Sequence, residues 1–380
     1  MDQNQLYTLV LGLVPPWMVD NVVFKVEEKR LDLQVTFPKG SRFSCLVCGA
    51  ECPEHGVHLV PVSWEREGSN FTQLFEALIM TLVRAMPVLT AARLVRETDK
   101  RLWRIIDHYV ETARTRVDMT GVHTVGVDET SGRRGHDYIT LFVDLEARQL
   151  LFATPGKDAS SFARFATDLG AHGGSAEAIT DVSMDLSPAF QKGADAYLPK
   201  AQVTFDRFHL MKRVNEAVDH VHRSEALTRP DLKKTRWVWL KNDRNLKAKL
   251  QESLQNLKTE QAYQYRLAFQ DIYTIKNRHQ SAPLLKAWLE SAKSSGLTPI
   301  VKVAYTIMNH WDSALRWSES QINNGIFEGF NSLIQSAKAK ARGYRTHKNF
   351  ISMAYRSWVN WILGYPLKMS INQLSPSIKE

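Results

Sequence analysis

Thr124-Val125-Gly126-Val127-Asp128-Glu129 is an apolar run of strand length that closes on two acids. Such a run reads as a strand buried on both faces, with its carboxylates delivered to the strand end. Further elements follow from it along the chain. Tyr138–Leu145 and Leu150–Thr154 pair as a hairpin over Glu146–Gln149, and Ser160–Leu169 has helical character. Ala178–Val182 reads as a short strand, Ser187–Tyr197 as a helix and Ala201–Phe205 as another strand.

The resulting order, β-β-β-α-β-α-β with an acid on the first strand, matches the RNase H-like arrangement. Residues 207–320 are predicted to be helical and rich in Lys, Arg, Trp and Tyr, an all-α insertion in the α/β domain. Residues 321–363 finish the fold with helices. The expected class is α/β plus α.

Three acids stand out by position. Asp128 ends the first strand, Asp185 follows a second in Val182-Ser183-Met184-Asp185, and Glu328 sits where a helix begins, in Gly325-Ile326-Phe327-Glu328-Gly329-Phe330-Asn331. On that helix Phe327, Phe330, Ile334, Ala337 and Ala341 form an apolar stripe. Glu328, Asn331, Gln335, Lys338 and Arg342 form a polar stripe one residue later, cationic at its far end. Carboxylates converging without cysteine or histidine suit a hard cation such as Mg²⁺ or Mn²⁺. Cations beyond them, Lys338, Arg342 and Arg345, suit backbone phosphates. The competing interpretation is an acid that caps a helix or holds a loop. Asp137, Asp144, Asp181 and Asp206 compete in the same region.

Upstream, Leu31-Asp32-Leu33-Gln34-Val35-Thr36-Phe37 alternates as a half-buried strand does. Leu74, Leu78, Leu82 and Ala85 keep helical spacing. Leu89–Arg96 and Lys100–Arg116 are two helices joined at Glu97-Thr98-Asp99, where Thr98 or Asp99 could cap the second. This is a helix-turn-helix pattern with Lys100, Arg101 and Arg104 as candidate DNA contacts; the alternative is an ordinary helical hairpin.

The cysteines are three, Cys45, Cys48 and Cys52. An odd, clustered set does not suit a disulfide scaffold and suits a metal site. Cys45-x2-Cys48 and Cys52-x2-His55 have the spacing of two zinc knuckles. The formal charge of +9 points to a polyanion partner, and 44% hydrophobic residues exclude a largely disordered chain. No basic segment precedes Leu6–Val14, and apolar runs fall short of the ~20 residues that span a bilayer. A soluble, cytoplasmic protein is expected.

The motifs Gly126-Val127-Asp128-Glu129-Thr130-Ser131, Gly135-His136-Asp137-Tyr138, Ser183-Met184-Asp185-Leu186-Ser187-Pro188-Ala189-Phe190 and Phe205-Asp206-Arg207-Phe208-His209 belong together. With Asn324-Gly325-Ile326-Phe327-Glu328-Gly329-Phe330-Asn331 and Ala341-Arg342-Gly343-Tyr344-Arg345, they make the chain resemble the DDE transposases of the ISL-three insertion-sequence family.

The resemblance runs over nearly the whole chain. It implies a triad of Asp128, Asp185 and Glu328 using Mg²⁺ or Mn²⁺, with Asp206 and His209 as a supporting or a merely structural pair. It implies a zinc module at 1–65, a helix-turn-helix at 66–120, a catalytic core at 121–206 and 321–363, a helical insertion at 207–320 and a tail at 364–380. Double-stranded DNA, as element ends and target, is the implied partner of a nucleoid-associated homo-oligomer. Only Gly49-Ala50-Glu51 separate Cys48 from Cys52, so the zinc segment is shorter than the family's. The alternative function is an impaired copy that only binds DNA; a third is a general RNase H-like nuclease. In Arg236-Trp237-Val238-Trp239, the aromatics could stack on exposed bases or belong to helix core.

Overall fold

The computed structural model describes residues 1–28, 30–44, 48, 62, 64–132, 137–237, 239–240, 257–322 and 325–357. The chain divides into two units, one holding Met1–Glu111 and the other Thr112–Trp361.

In the first unit, α1 (Gln3–Val10) starts at Asp2, whose side chain accepts from the Gln5 N–H while Gln5 bonds back in a capping box. Strands β1 (Met18–Lys25) and β2 (Arg30–Thr36) pair antiparallel, and β2 falls on the alternating stretch read from the sequence. Three helices follow: α2 (Gln73–Ala85), α3 (Val88–Leu94) and α4 (Asp99–Arg114). The Thr72 hydroxyl caps α2 by accepting from Phe75 N–H at 3.2 Å. The Thr98 carbonyl accepts the first bonds of α4, from Arg101 and Leu102. Leu102, Ile105, Ile106 and Val110 of α4 are buried, so Lys100, Arg101 and Arg104 stand on its exposed side. The spacing of Leu74 and Leu78 is helical, yet that stripe lies outward. Helix α2 buries Ala77, Ile79, Met80 and Val83 instead, together with the carboxylate of Glu76.

The second unit is built on a five-stranded sheet in the order β5-β4-β3-β6-β7. Its strands are β3 (Thr124–Ser131), β4 (Tyr138–Asp144), β5 (Gln149–Pro155), β6 (Asp181–Met184) and β7 (Gln202–Phe205). The hairpin-linked strands β3, β4 and β5 run antiparallel; β6 and β7 join β3 in parallel. Parallel pairing needs crossovers. These are α5 (Ser160–Ala171) and α6 (Pro188–Tyr197). The β6 strand begins later than the apolar run at 178 suggests, because Ala176–Ala178 form a 3₁₀ turn.

One sheet face packs Val125, Val127 and Phe142 against Phe162, Phe165 and Phe190 of α5 and α6. Phe142 and Phe165 stack with ring centroids 4.3 Å apart. Gly193 permits this approach of α6, since a Cβ there would overlap the Phe162 ring.

After β7 come α7 (Arg207–Glu225), α8 (Lys258–Ile272), α9 (Arg278–Lys293), α10 (Thr298–Asn309), α11 (Trp311–Leu315) and α12 (Trp317–Ser320). Their buried side chains continue the same core. The chain returns to the sheet with α13 (Gly325–Lys340) and α14 (His347–Ser357). These helices meet the other sheet face: Asn331 and Gln335 bond to Asp128 and Thr130, and the Tyr355 hydroxyl accepts from Ala153 N–H at 3.0 Å. Helix α13 buries Phe327, Phe330 and Ile334, as its apolar stripe requires. It stops at Lys340, before Ala341 and Arg342, because Arg342 and Gly343 take the left-handed conformation (φ 56° and 94°) that ends a helix. Among the described residues no helix is long and apolar enough to cross a membrane.

Candidate active site

Parallel pairing sets the site. Gly126 of β3 lies opposite Ser183 of β6. Two residues further on are Asp128, in the second half of β3, and Asp185, just past the carboxyl end of β6, the side on which open α/β sheets place their ligands. Met184 of β6 lies opposite Phe205 of β7, and the next residues are Asp185 and Asp206. Asp185 and Asp206 thus follow the last residues of β6 and β7, whereas Asp128 lies inside β3, which runs on to Ser131 instead of ending at the acid as the sequence suggests.

Asp128 is the most constrained of them. Its Oδ1 accepts from the Glu129 N–H at 2.8 Å and its Oδ2 from Asn331 Nδ2 at 3.0 Å. Burial, reinforced by the like charges of Glu129 and Asp185, pushes its carboxyl up to about 7 despite those two donors. Glu129 is raised as well, by burial and by Asp185, with Lys157 and Lys212 pulling the other way. Asp128, Glu129 and Asp185 are thus partly buried like charges that a cation would relieve. Their oxygen-only donors fit a hard divalent ion, and Asn331 Oδ1 adds a buried oxygen without a hydrogen-bond partner beside them.

Asp185 also organises the backbone: its Oδ1 accepts from the Ser187 N–H at 2.8 Å, at the start of α6. Asp206 is buried at the head of α7, and its N–H donates to the Met184 carbonyl at 2.9 Å. His209 Nε2 stands 3.9 Å from Asp206 Oδ2. Glu328 is exposed in the first turn of α13, one turn before Asn331 on the same helix side. Among the described residues no three His, Cys, Asp or Glu side chains converge closely enough to hold one ion. The structure therefore brings Asp128 and Asp185 together and leaves Glu328 apart from them. The competing acids have structural work. Asp137 pairs with His347, Asp144 accepts from two N–H groups of the hairpin turn, and Asp181 holds Arg316 at 2.7 Å.

The polar stripe of α13 faces β3. Gln335 Nε2 donates to Thr130 Oγ1 at 2.8 Å, and Lys338 Nζ to the Ser131 carbonyl at 2.6 Å. Lys338 is thereby tied to the sheet, while Arg342 and Arg345 are exposed beyond the helix. Arg101 is bonded to Glu97 at 2.9 Å. Cys45, Cys52 and His55 lie outside the described residues, as do Gly135, His136 and Asn324 of the motifs; Cys48 is exposed. The two tryptophans divide. Trp239 is buried edge-on to Tyr263, whereas Trp237 is 66% exposed under the Arg236 guanidinium. Sequence reasoning assigned no role to Glu129 or Asn331; the place of Asn331 on the polar stripe was the available signal.

Residues 125–354 match the DDE ISL3 family model, described as a transposase, and residues 60–110 match the helix-turn-helix domain of transposase family ISL3. The transposase for insertion sequence element IS1001 of Bordetella parapertussis is 27% identical over 246 residues, 61% of this chain and 60% of that protein. The transposase for insertion sequence element IS1557 of Mycobacterium tuberculosis is 26% identical over 340 residues, 80% of this chain and 75% of that protein. The chain thus spans about 60% of the length of the first relative and more of the second. With more than half of its residues inside the catalytic family model, the chain belongs to the ISL3 family of DDE transposases.

Proposed function

We propose that the protein cuts DNA at the ends of its own insertion element and joins the freed 3′ ends to target DNA. The observation that carries this reading is the juxtaposition of Asp128 on β3 with Asp185 just past the neighbouring parallel β6, with α13 anchored on Asp128 through Asn331. Sheet order and helical crossovers support an RNase H-like catalytic core, with 207–320 as its helical insertion.

Asp128 and Asp185 would hold the divalent ion, with Glu328 joining from α13 when DNA is bound. The ion, when bound, activates water and neutralises charge on the phosphodiester. Asn331 orients the Asp128 carboxylate, and Gln335 and Lys338 fix α13 to β3. Asp206 and His209 brace the neighbouring strand end. Two copies on paired ends are the working assembly in this reading. The test is a cleavage assay on linear DNA carrying the element's ends, with and without Mg²⁺ or Mn²⁺. Cuts at the ends that require the ion support it; ion-dependent cuts scattered without regard to the ends assign the protein to general nucleases.

Recognition of the ends falls to the helix-turn-helix, with Lys100, Arg101 and Arg104 on the exposed side of α4. Cys45, Cys48, Cys52 and His55 are the proposed set for one structural zinc. Metal analysis of purified protein is expected to count one zinc per chain, lost in Cys45→Ser; no zinc in the parent protein refutes the set.

Arg342 and Arg345 are placed to meet backbone phosphates. Arg342→Ala is expected to weaken binding to all DNA sequences alike and to lower the slope of log affinity against log salt by about one. Loss confined to one sequence would instead mean base recognition. Lys338→Ala is expected to act differently, because its amine is already engaged with the Ser131 carbonyl.

A further inference from the structure

Helix α7 leaves the sheet directly behind Asp206, and α10 packs along it. Between them is a cavity of about 360 Å³. Leu186, Leu210 and Ile307 line its buried side, and Arg213, His220 and Lys302 its exposed side. Leu186 follows Asp185 directly, so the cavity begins one residue from the strand-end carboxylates.

Its charge is unspent. Among the described residues the Arg213 guanidinium and the Lys302 amine make no ion pair or hydrogen bond. Four arginines of the surrounding helices and sheet are paired: Arg223 and Arg236 with Asp219, Arg229 with Asp231, Arg316 with Asp181. One acid, Glu216, lines the cavity against these two permanent cations.

We propose that this cavity takes a single unpaired nucleotide of the DNA strand held at Asp128 and Asp185. Its base would lie against Leu186, Leu210 and Ile307, and its flanking phosphates against Arg213 and Lys302. The proposal rests on the transposase reading of the neighbouring site. A duplex presents phosphates outward and is too wide for a space of this size. An unstacked base exposes two apolar faces to water, at a cost of a few kcal/mol that an apolar wall offsets. Cations at the mouth and aliphatic side chains within match a nucleotide part by part, phosphate outside and base inside.

The experiment compares a blunt duplex with the same duplex carrying a short single-stranded extension, bound to the full chain in EDTA and followed by fluorescence anisotropy. Binding of the extended duplex is expected to be about tenfold tighter, a difference of about 1.4 kcal/mol. In Ile307→Trp, which fills the cavity, the preference should fall to about one while blunt-duplex affinity stays within about twofold. Should that variant fail to fold, Arg213→Ala with Lys302→Ala changes only exposed side chains. It should remove the preference and lower the salt slope for the extended duplex by about two. A preference that persists in either folded variant, or is absent from the parent protein, overturns the assignment. Equal competition by a free deoxynucleoside monophosphate would give the cavity to a soluble nucleotide instead, and self-association abolished by the same variants would give it to a second copy. Because no ion is present, the outcomes separate: ion-dependent end cleavage without the preference refutes this cavity alone, and the preference without cleavage refutes only the transposase reading.

Discussion

Asp128→Asn and Asp185→Asn are each expected to lower ion-dependent cleavage of end-bearing DNA by about a thousandfold or more, which is about 4 kcal/mol of barrier. The amide keeps the shape of the carboxylate and loses the charge that holds the cation. Asn at 185 still offers an oxygen to the Ser187 N–H, so the start of α6 survives. Asn at 128 removes a buried charge crowded by Glu129 and Asp185, so the fold loses a burden rather than a support. The melting temperature of Asp128→Asn should therefore hold or rise while cleavage disappears. End binding, which the proposed function gives to the helix-turn-helix, should remain within about twofold. A variant at either position that cuts at a near-parent rate removes that residue from the site.

Glu76→Ala is expected to abolish end binding without touching a DNA-facing side chain. Glu76 is fully buried in α2, where Arg66 donates to it at 2.7 Å, Tyr109 of α4 at 2.9 Å, and Ser69 by a further short bond. One carboxylate thus ties the segment before α2 to both long helices of the unit. Burial pushes its carboxyl up, but the donors outweigh burial and hold it below its ordinary value. Removing the carboxylate leaves Ser69 and Tyr109 without their acceptor and Arg66 without its counter-ion. The expected loss is about 3 kcal/mol, visible as an earlier urea transition. The sign of the pH effect follows from the depressed value. Stabilisation by Glu76 is complete above its ordinary 4.5 and fades as pH falls through the lower folded value. Acid should loosen the parent unit in that window and leave Glu76→Ala with a flatter profile. An unchanged urea midpoint in Glu76→Ala would show that the network contributes nothing.

Glu76 also shows where sequence reading stops. An acid in an amphipathic helix reads as solvent-facing, and its donors come from outside that helix, Arg66 and Ser69 from the segment before it and Tyr109 from α4. The same helix carries apolar residues on two sides. The spacing of Leu74, Leu78, Leu82 and Ala85 marked the helix, but packing buries Ala77, Met80 and Val83 in place of Leu74 and Leu78. The central sheet was legible for the opposite reason. Val125, Val127, Val182 and Val203 sit in short β-branched runs between turn signals, so the strands and their succession along the chain were legible, while the pairing of Asp128 with Asp185 was implied by the family resemblance and not by spacing. Asn331 was placed on the correct stripe of α13, yet nothing nearby in the chain named its partner. The end of α13 escaped the pattern because Arg342 and Gly343 stop it through backbone conformation, while the stripe continues in sequence. Trp237 and Trp239 are nearly alike in sequence context and opposite in exposure, a difference fixed by Tyr263 beside Trp239.

The bond between Asn331 and Asp128 spans 203 residues. A ribosome adding about 5–20 residues per second needs roughly 10–40 s to cross that interval. During that delay the helix-turn-helix and the first catalytic strand have already been made, and α13 has not. Under the proposed function, a newborn chain would therefore complete its DNA-binding helices well before its cutting site. On the same proposal, synthesis that aborts before Gly325 would release a protein that occupies element ends without cutting them, a competitor of the finished chain.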